Sequence, residues 1–594
     1  MKGKQEMKKI LVLLLVLVML ATSLIGCSKK NPDAFPTLNY LYNTADSHKV
    51  IGEYLQGALA NAGITMKLEN QEWNTFLNTR KEGNYSIARN GWVADYNDPI
   101  CFLDMWTSNS GNNDVQFGKG AHKDLKMYNL DLTKWGYETK VENGTWAETY
   151  DVLISTIKSE TDATKRYEMM HLAEDILMST GCITPLYYYT DLYMIDDKVD
   201  GFFSNPLGYK YFMYTTVDGK GESISVCLAS EPDSLDPALN SAVDGATMIS
   251  HLFAGLAKWS QDDKGNLTLI ADCAEALPEG VVNADGTVTY TYTLKAGLKW
   301  SNGDELKASD FAESWKRAAS DELAADYGYM FEVVKGYGTP EGIAVSADDA
   351  ARTVTVTLSN SVAYWNELLA FPTYFPVHSS ARTSDTWATE AATYICNGAY
   401  TMTKWDHDSQ IILTKNANYH DAAKVTMNEI KCFLSDDANN MLANFKKGDW
   451  LLIDDVPTAE IATLKAEYKD EFVIAGQIGT YYICWNINEN ILPKSSTLTG
   501  VEAEKAQAEI RNAISLLFDR NYIVESVAQG GQLPASSFVA MGMTNPDGTE
   551  FYKTANGGAA ANGYDGYYNV SKDAHAANVA KAMEVLNKYY KLDK

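Results

Sequence analysis

Residues 37–88 read TLNYLYNTADSHKVIGEYLQGALANAGITMKLENQEWNTFLNTRKEGNYSIA, and this stretch decides the fold class. Residues 37–42, rich in Leu and Tyr, read as a strand. Residues 48–62 place Val50, Ile51, Leu55 and Leu59 at helical spacing. A second strand follows at 64–68, a second helix at 73–81 and a third strand at 85–88. Strands alternating with helices at this spacing predict an α/β domain, in which each helix carries the chain back across a sheet.

The pattern extends outward from there. Residues 95–120, rich in Asp, Asn, Ser and Gly, read as a loop. A helix opens at Thr145, with Glu148 three residues on completing a capping box, and a second helix spans 162–178. Residues 185–189 (PLYYY) and 209–215 read as strands, and 216–222 (TVDGKGE) as a polar linker. Beyond the linker the character changes. Residues 287–294 (TVTYTYTL) alternate at period two, which predicts a half-exposed antiparallel sheet, with a helix at 308–319 and another strand at 352–358. Helices at 509–518 and 576–590 return the last third to α/β, and 545–570 reads as a long surface loop.

Composition narrows the function. A chain of 594 residues holds two to four domains. Its 50 basic against 77 acidic side chains give a net charge of −27, which argues against a nucleic-acid partner. The 36 Tyr, twice the 18 Phe, suggest an aromatic cleft with polar rims. Lys2, Lys4, Lys8 and Lys9 precede an apolar run at 10–20, too short to span a bilayer, and then Leu24-Ile25-Gly26-Cys27. This is an export signal, 1–27, and it resembles a bacterial lipobox in which Cys27 takes the lipid. The other cysteines form no C-x-x-C pair, the histidines are scattered, and no nucleophile-elbow or H-E-x-x-H motif occurs. Nothing in the sequence argues for an enzyme, a metal or a cofactor.

Several short motifs occur in series. Glu231-Pro232-Asp233-Ser234-Leu235-Asp236-Pro237 is followed by Leu252-Phe253-Ala254-Gly255-Leu256, Leu298-Lys299-Trp300-Ser301-Asn302-Gly303, Asn397-Gly398-Ala399-Tyr400 and Arg511-Asn512-Ala513-Ile514. Together they resemble family 5 extracellular solute-binding proteins, the oligopeptide-binding lipoproteins of ABC importers. Residues 35–215, with Asn70-Gln71-Glu72-Trp73 and Gly91-Trp92-Val93-Ala94-Asp95-Tyr96-Asn97-Asp98-Pro99, resemble the C-terminal third of that family yet stand first here. The chain therefore looks circularly permuted.

The resemblance implies a two-lobe, type II periplasmic-binding-protein-like α/β fold with hinge strands and an extra β-rich domain. It divides the chain into one part of the second lobe (31–204), a return strand and linker joining the family's old termini (205–222), and the first lobe (223–265 and 386–480). The extra domain is then 266–385 and the rest of the second lobe 481–594. It implies a monomer, held to the membrane by lipid, that passes oligopeptides to ABC permease subunits. Asp95 matches the position that holds the peptide amine; Arg80, Arg89 and His48 match positions that meet the carboxylate. Trp73, Trp92, Tyr96, Tyr327, Tyr481, Tyr482 and Trp485 are expected as pocket walls, and Gly479-Thr480-Tyr481-Tyr482 resembles the strand that pairs with the peptide backbone. Ala528 stands where the family has a lysine anchor, and Val93 and Gly479 stand where some members have a disulfide. A receptor for dipeptides, signalling peptides or another solute, an extracellular peptide hydrolase, and a permuted chain that folds without binding are the alternatives.

Overall fold

The computed structural model describes residues 31–262, 267–384 and 386–592, so the expected signal segment and Cys27 lie outside the described residues. The opening stretch folds as its pattern predicts. Strands β1 (Leu38–Asn43), β2 (Met66–Gln71) and β3 (Ile87–Val93) lie parallel, with β1 between the other two. Helices Asp46–Asn61 and Trp73–Lys81 make the crossovers that parallel pairing requires. The first helix buries Ile51, Leu55 and Leu59, the positions whose spacing marked it.

Strands β4 (Ile183–Ile195), β5 (Ile224–Ala229), β6 (Tyr400–Asp406), β7 (Gln410–Lys415), β8 (Glu429–Leu434), β9 (Leu452–Ile453) and β10 (Phe472–Trp485), with the short strand Leu533–Pro534 paired to β4 beside them, continue the main sheet. Its order is β6-β7-β8-β5-β9-β4-β10-β3-β1-β2. The two long strands in the middle divide it. At one end, Phe472–Gly476 of β10 pairs with Thr190–Met194 of β4, beside β9 and β5. At the other, Thr480–Cys484 pairs with Ile183–Tyr188 and, on its far edge, with β3. Strands β4 and β10 therefore run from one lobe into the other, and their mutual register slips between Gly476 and Thr480, at the crossing.

The alternating stretch forms the predicted antiparallel sheet. Val288–Thr293 pairs with Thr353–Leu358, which also pairs with Val345–Asp348, and helix Ala308–Ala318 buries Phe311 and Trp315 against it. The two described ends of the chain lie side by side: the Lys591 amide donates to the Asp33 carbonyl at 3.0 Å, and the Phe35 and Tyr590 rings are 4.6 Å apart.

Local expectations differ from the structure in four places. Of residues 209–215 only Lys210–Tyr211 is strand, paired with Phe203–Ser204. Residues 95–120 form a core segment of short 3-10 turns in which Ile100, Phe102, Leu103 and Trp106 are fully buried. Asn113 satisfies that segment internally, accepting from Phe117 N and donating to the Thr107 and Phe117 carbonyls. Residues 545–570 include short helices and bury Phe551, Ala555 and Tyr568. The helix read from 509 starts at Gly500: the inward positions of its first turns include Glu504 and Gln507, buried polar groups bonded to each other and, through Glu504, to Arg511, so they carry little apolar signal.

Candidate ligand-binding site

The carboxyl ends of the parallel strands converge on the crossing of β4 and β10. Asn43 and Thr44 follow from β1, Val93 to Asp95 from β3, Ala229 and Ser230 from β5, and Asp454 and Asp455 from β9. Ligands of open α/β sheets bind outside such ends. Here the space between the lobes holds two joined chambers of about 360 and 240 Å³. Trp73, Arg89, Tyr189 and Asp244 line both.

Asp95 lies in the smaller chamber. Its Oδ1 accepts a hydrogen bond of 3.1 Å from the Tyr327 hydroxyl, and its Oδ2 is buried without a partner. Burial raises its pKa well above the ordinary value, opposed by the Tyr327 bond. The D-Y-N-D-P loop that carries Asp95 is clamped. Arg166 forks onto Asp98 at 2.7 and 2.9 Å, and Asn97 N donates to Glu367 at 2.8 Å. An orphaned carboxylate oxygen on a rigid loop is a ready acceptor for an ammonium group.

Arg89 stands six residues back along the same strand, inside the cleft. Its Nε donates to Asn43 Oδ1 at 2.7 Å, and its guanidinium lies over Trp73 and Phe76, 5.4 and 5.1 Å from the ring centres. No carboxylate among the described residues pairs with it. His48 lines the larger chamber, with Nδ1 3.4 Å from the Tyr481 hydroxyl. Burial, assisted by the Arg89 charge, holds its pKa well below the ordinary value, so the ring is neutral. Arg80 differs from Arg89: its Nε already faces Asp114 at 2.7 Å, and both side chains are buried. That guanidinium reaches the smaller chamber with its charge compensated.

Trp73 lines both chambers, and Trp92 and Tyr327 line the smaller one. Tyr96 is a correction: it stacks on Tyr364 at 4.5 Å between the second lobe and the extra domain, outside both chambers. Gly479, Thr480, Tyr481, Tyr482 and Trp485 also lie behind the chambers. Their strand is paired on both edges, with β3 and β4, so its main chain has no edge to offer a peptide. Tyr482 packs edge-on to Phe538 and Trp106, Thr480 donates to the Phe538 carbonyl, and Tyr481 stacks on Tyr187 at 4.8 Å. The open edge belongs to β3. Beyond Ala88 it has parted from β1, and Asn90 to Ala94 line the smaller chamber. Ala94 N donates to the Ile478 carbonyl on the β10 side, which turns the neighbouring amides towards the cleft. Gly91 is required there, because a Cβ would stand 2.1 Å from the Tyr189 hydroxyl.

Asp244, Asp455 and Tyr189 were missed in the sequence. Asp244 opens helix Val243–Leu252, and Asp455 follows a strand of two residues. A pair of aspartates at the carboxyl end of a parallel strand was the available signal, hidden by the shortness of that strand.

The sequence matches the family described as bacterial extracellular solute-binding proteins, family 5 Middle, over residues 25–114 and 269–590. Among curated proteins it is 32% identical over 337 residues to the oligopeptide-binding protein OppA of Bacillus subtilis, covering 54% of this chain and 57% of that protein. It is 29% identical over 325 residues to the periplasmic oligopeptide-binding protein OppA of Salmonella typhimurium, covering 52% and 55%. The chain thus spans little more than half the length of these relatives. A solved structure of Haemophilus influenzae OppA in complex with RPPGFSPFR aligns with a TM-score of 0.49 at 23% identity, over 63% of this chain and 67% of that one.

Proposed function

Because the chain belongs to the bacterial extracellular solute-binding proteins of family 5, we propose that its cleft captures short peptides and hands them to an ABC importer. The observation that carries this reading is the pair of uncompensated groups at either end of one open strand edge. Asp95 offers a buried carboxylate oxygen to the peptide amine, and Arg89, with neutral His48 beside it, offers a guanidinium to the carboxylate. Asp95 lies two residues past the end of β3 and six along the chain from Arg89, at most about 20 Å at roughly 3.3 Å per residue. An extended peptide of up to about six residues spans that distance at the same rise. Main-chain pairing along β3 gives affinity without sequence preference.

The finer mechanics belong to the same proposal. The lobes close about β4 and β10, Trp73, Trp92 and Tyr327 wall the peptide, and Cys27 anchors the chain to the membrane by lipid. The chain acts as a monomer with permease subunits as partners, and its order is a circular permutation joined through 216–222. The contact of Lys591 with Asp33 and the pairing of β10 with β3 support that order. The test is thermal unfolding with and without a pool of three- to six-residue peptides, followed by mass spectrometry of what co-purifies. A ligand specific to the folded state raises the midpoint by mass action. A cooperative transition with no shift and no bound peptide would defeat the reading.

A further inference from the structure

The larger chamber has a charge imbalance that peptide termini do not use. Asp191, Asp244, Asp436, Asp454 and Asp455 line it, against the single guanidinium of Arg89 and the neutral ring of His48. Asp191 and Asp454 share Lys210, at 2.9 and 2.8 Å. Asp244, Asp436 and Asp455 have no cation within ion-pair distance among the described residues. Asp244 Oδ2 is moreover buried with no hydrogen-bond partner, at the junction of the two chambers. Asp455 keeps only the amide of its neighbour Val456, at 2.8 Å. Carboxylates set in a cleft without a counter-ion are costly, and a ligand cation relieves that cost.

We infer that the larger chamber selects a cationic side chain: the peptides held best carry a lysine or arginine whose charged head sits between Asp244 and Asp455. This rests on the peptide reading above and adds the chemistry of the side chain. The two carboxylates come from the first lobe, whereas Arg89 and His48 come from the second, so a basic side chain held by one lobe and a terminus held by the other bridge the cleft. Burial raises both carboxyl groups to about 7; the charge of Asp233, and then that of Asp454, adds to the rise at Asp244, and the charge of Asp454 adds to it at Asp455.

The experiment is calorimetric titration of the protein with matched tetrapeptides that carry lysine, norleucine or glutamate at one position, scanned along the peptide. At one position at least, lysine is expected to bind about tenfold or more tighter than norleucine, its uncharged analogue, and glutamate weaker than both. Asp244→Asn and Asp455→Asn should each bring the ratio of lysine to norleucine affinity to within about threefold, whatever either does to the binding of the norleucine peptides. Thermal midpoints without ligand show that each variant is folded, and the wild-type comparison of lysine with norleucine needs no variant. Equal binding of lysine and norleucine at every position would overturn the inference and leave the peptide reading standing. Binding of no tetrapeptide at all would defeat that reading, and the inference with it.

Discussion

Replacing Asp95 by Asn tests the site at its most exacting point. The amide keeps the size of the side chain and still accepts from the Tyr327 hydroxyl, which now bonds Oδ1 at 3.1 Å, so the loop held by Arg166 and Glu367 should not move. The change removes one thing, the negative charge at the unpartnered Oδ2. Truncating one member of a buried, hydrogen-bonded charge pair costs about 2–5 kcal/mol of binding. An amide that still offers an oxygen falls towards the lower end, about 3 kcal/mol, or roughly a hundredfold in Kd. Calorimetry with a free and an N-acetylated tetrapeptide gives the answer. Acetylation should cost the wild type as much as the substitution does, and it should cost the variant almost nothing further. The unliganded protein should respond in the opposite sense. The folded-state pKa of Asp95 lies above its unfolded value, so the stability it contributes is full below about pH 4 and is lost as pH rises through the folded pKa. The Asn variant escapes that loss and should unfold at a higher temperature at neutral pH. Since a bound ammonium lowers the pKa of Asp95, wild-type affinity should fall as pH drops below the free-state value. A variant that binds free and acetylated peptides as the wild type does would refute the assignment of the amine to Asp95.

Arg89→Met keeps the packing against Trp73 and Phe76 but loses the guanidinium; affinity for free peptides should fall about thirtyfold or more while C-terminally amidated peptides bind wild type and variant alike, as titration of both peptide forms would show. Gly91→Ala forces a Cβ to within 2.1 Å of the Tyr189 hydroxyl and should cost about 1–3 kcal/mol of stability by thermal unfolding, and adding Tyr189→Phe should recover part of it. Joining Lys591 to Asp33 through a short linker and reopening the chain within 216–222 should give a protein with the same peptide affinity, because the joined ends already touch and the new ends fall in a half-exposed turn; loss of binding in a folded product would count against the proposed permutation.

The α/β architecture was legible because its helices and strands carry strong periodic patterns, as in Asp46–Asn61, Trp73–Lys81 and Val288–Thr293. Asp95 and Arg89 were legible only through the resemblance. By spacing alone they are a turn residue and a strand residue, and what sets them apart is burial without an opposite charge, which no local pattern encodes. Arg80 shows the converse. It has the same residue type nine positions away on the same crossover unit, yet Asp114 neutralises it, and that aspartate comes from a segment that composition marked as loop. The aromatic stretch at 479–485 was misplaced for a related reason. Alternation identifies a strand but does not say how many of its edges are occupied, and here both are.

That double pairing also explains why the site cannot be divided among the parts of the chain. Asp95 and Arg89 come from β3 and its loop, near residue 90, but β3 is positioned by β10, whose Tyr481 stands opposite Gly91 nearly four hundred residues later. Asp244 and Asp455 line the other side of the larger chamber, and the Tyr327 hydroxyl that bonds Asp95 comes from a segment more than two hundred residues away in sequence. Until β10 lies between β3 and β4, Asp95 and Arg89 have no fixed distance to Asp244, Asp455 or Tyr327. Contacts of such sequence separation form late, because their loop-closure entropy is opposed by little until the surrounding sheet exists. The cleft is therefore a property of the completed main sheet, and its capacity to hold a ligand across the two lobes follows from the two strands that belong to both.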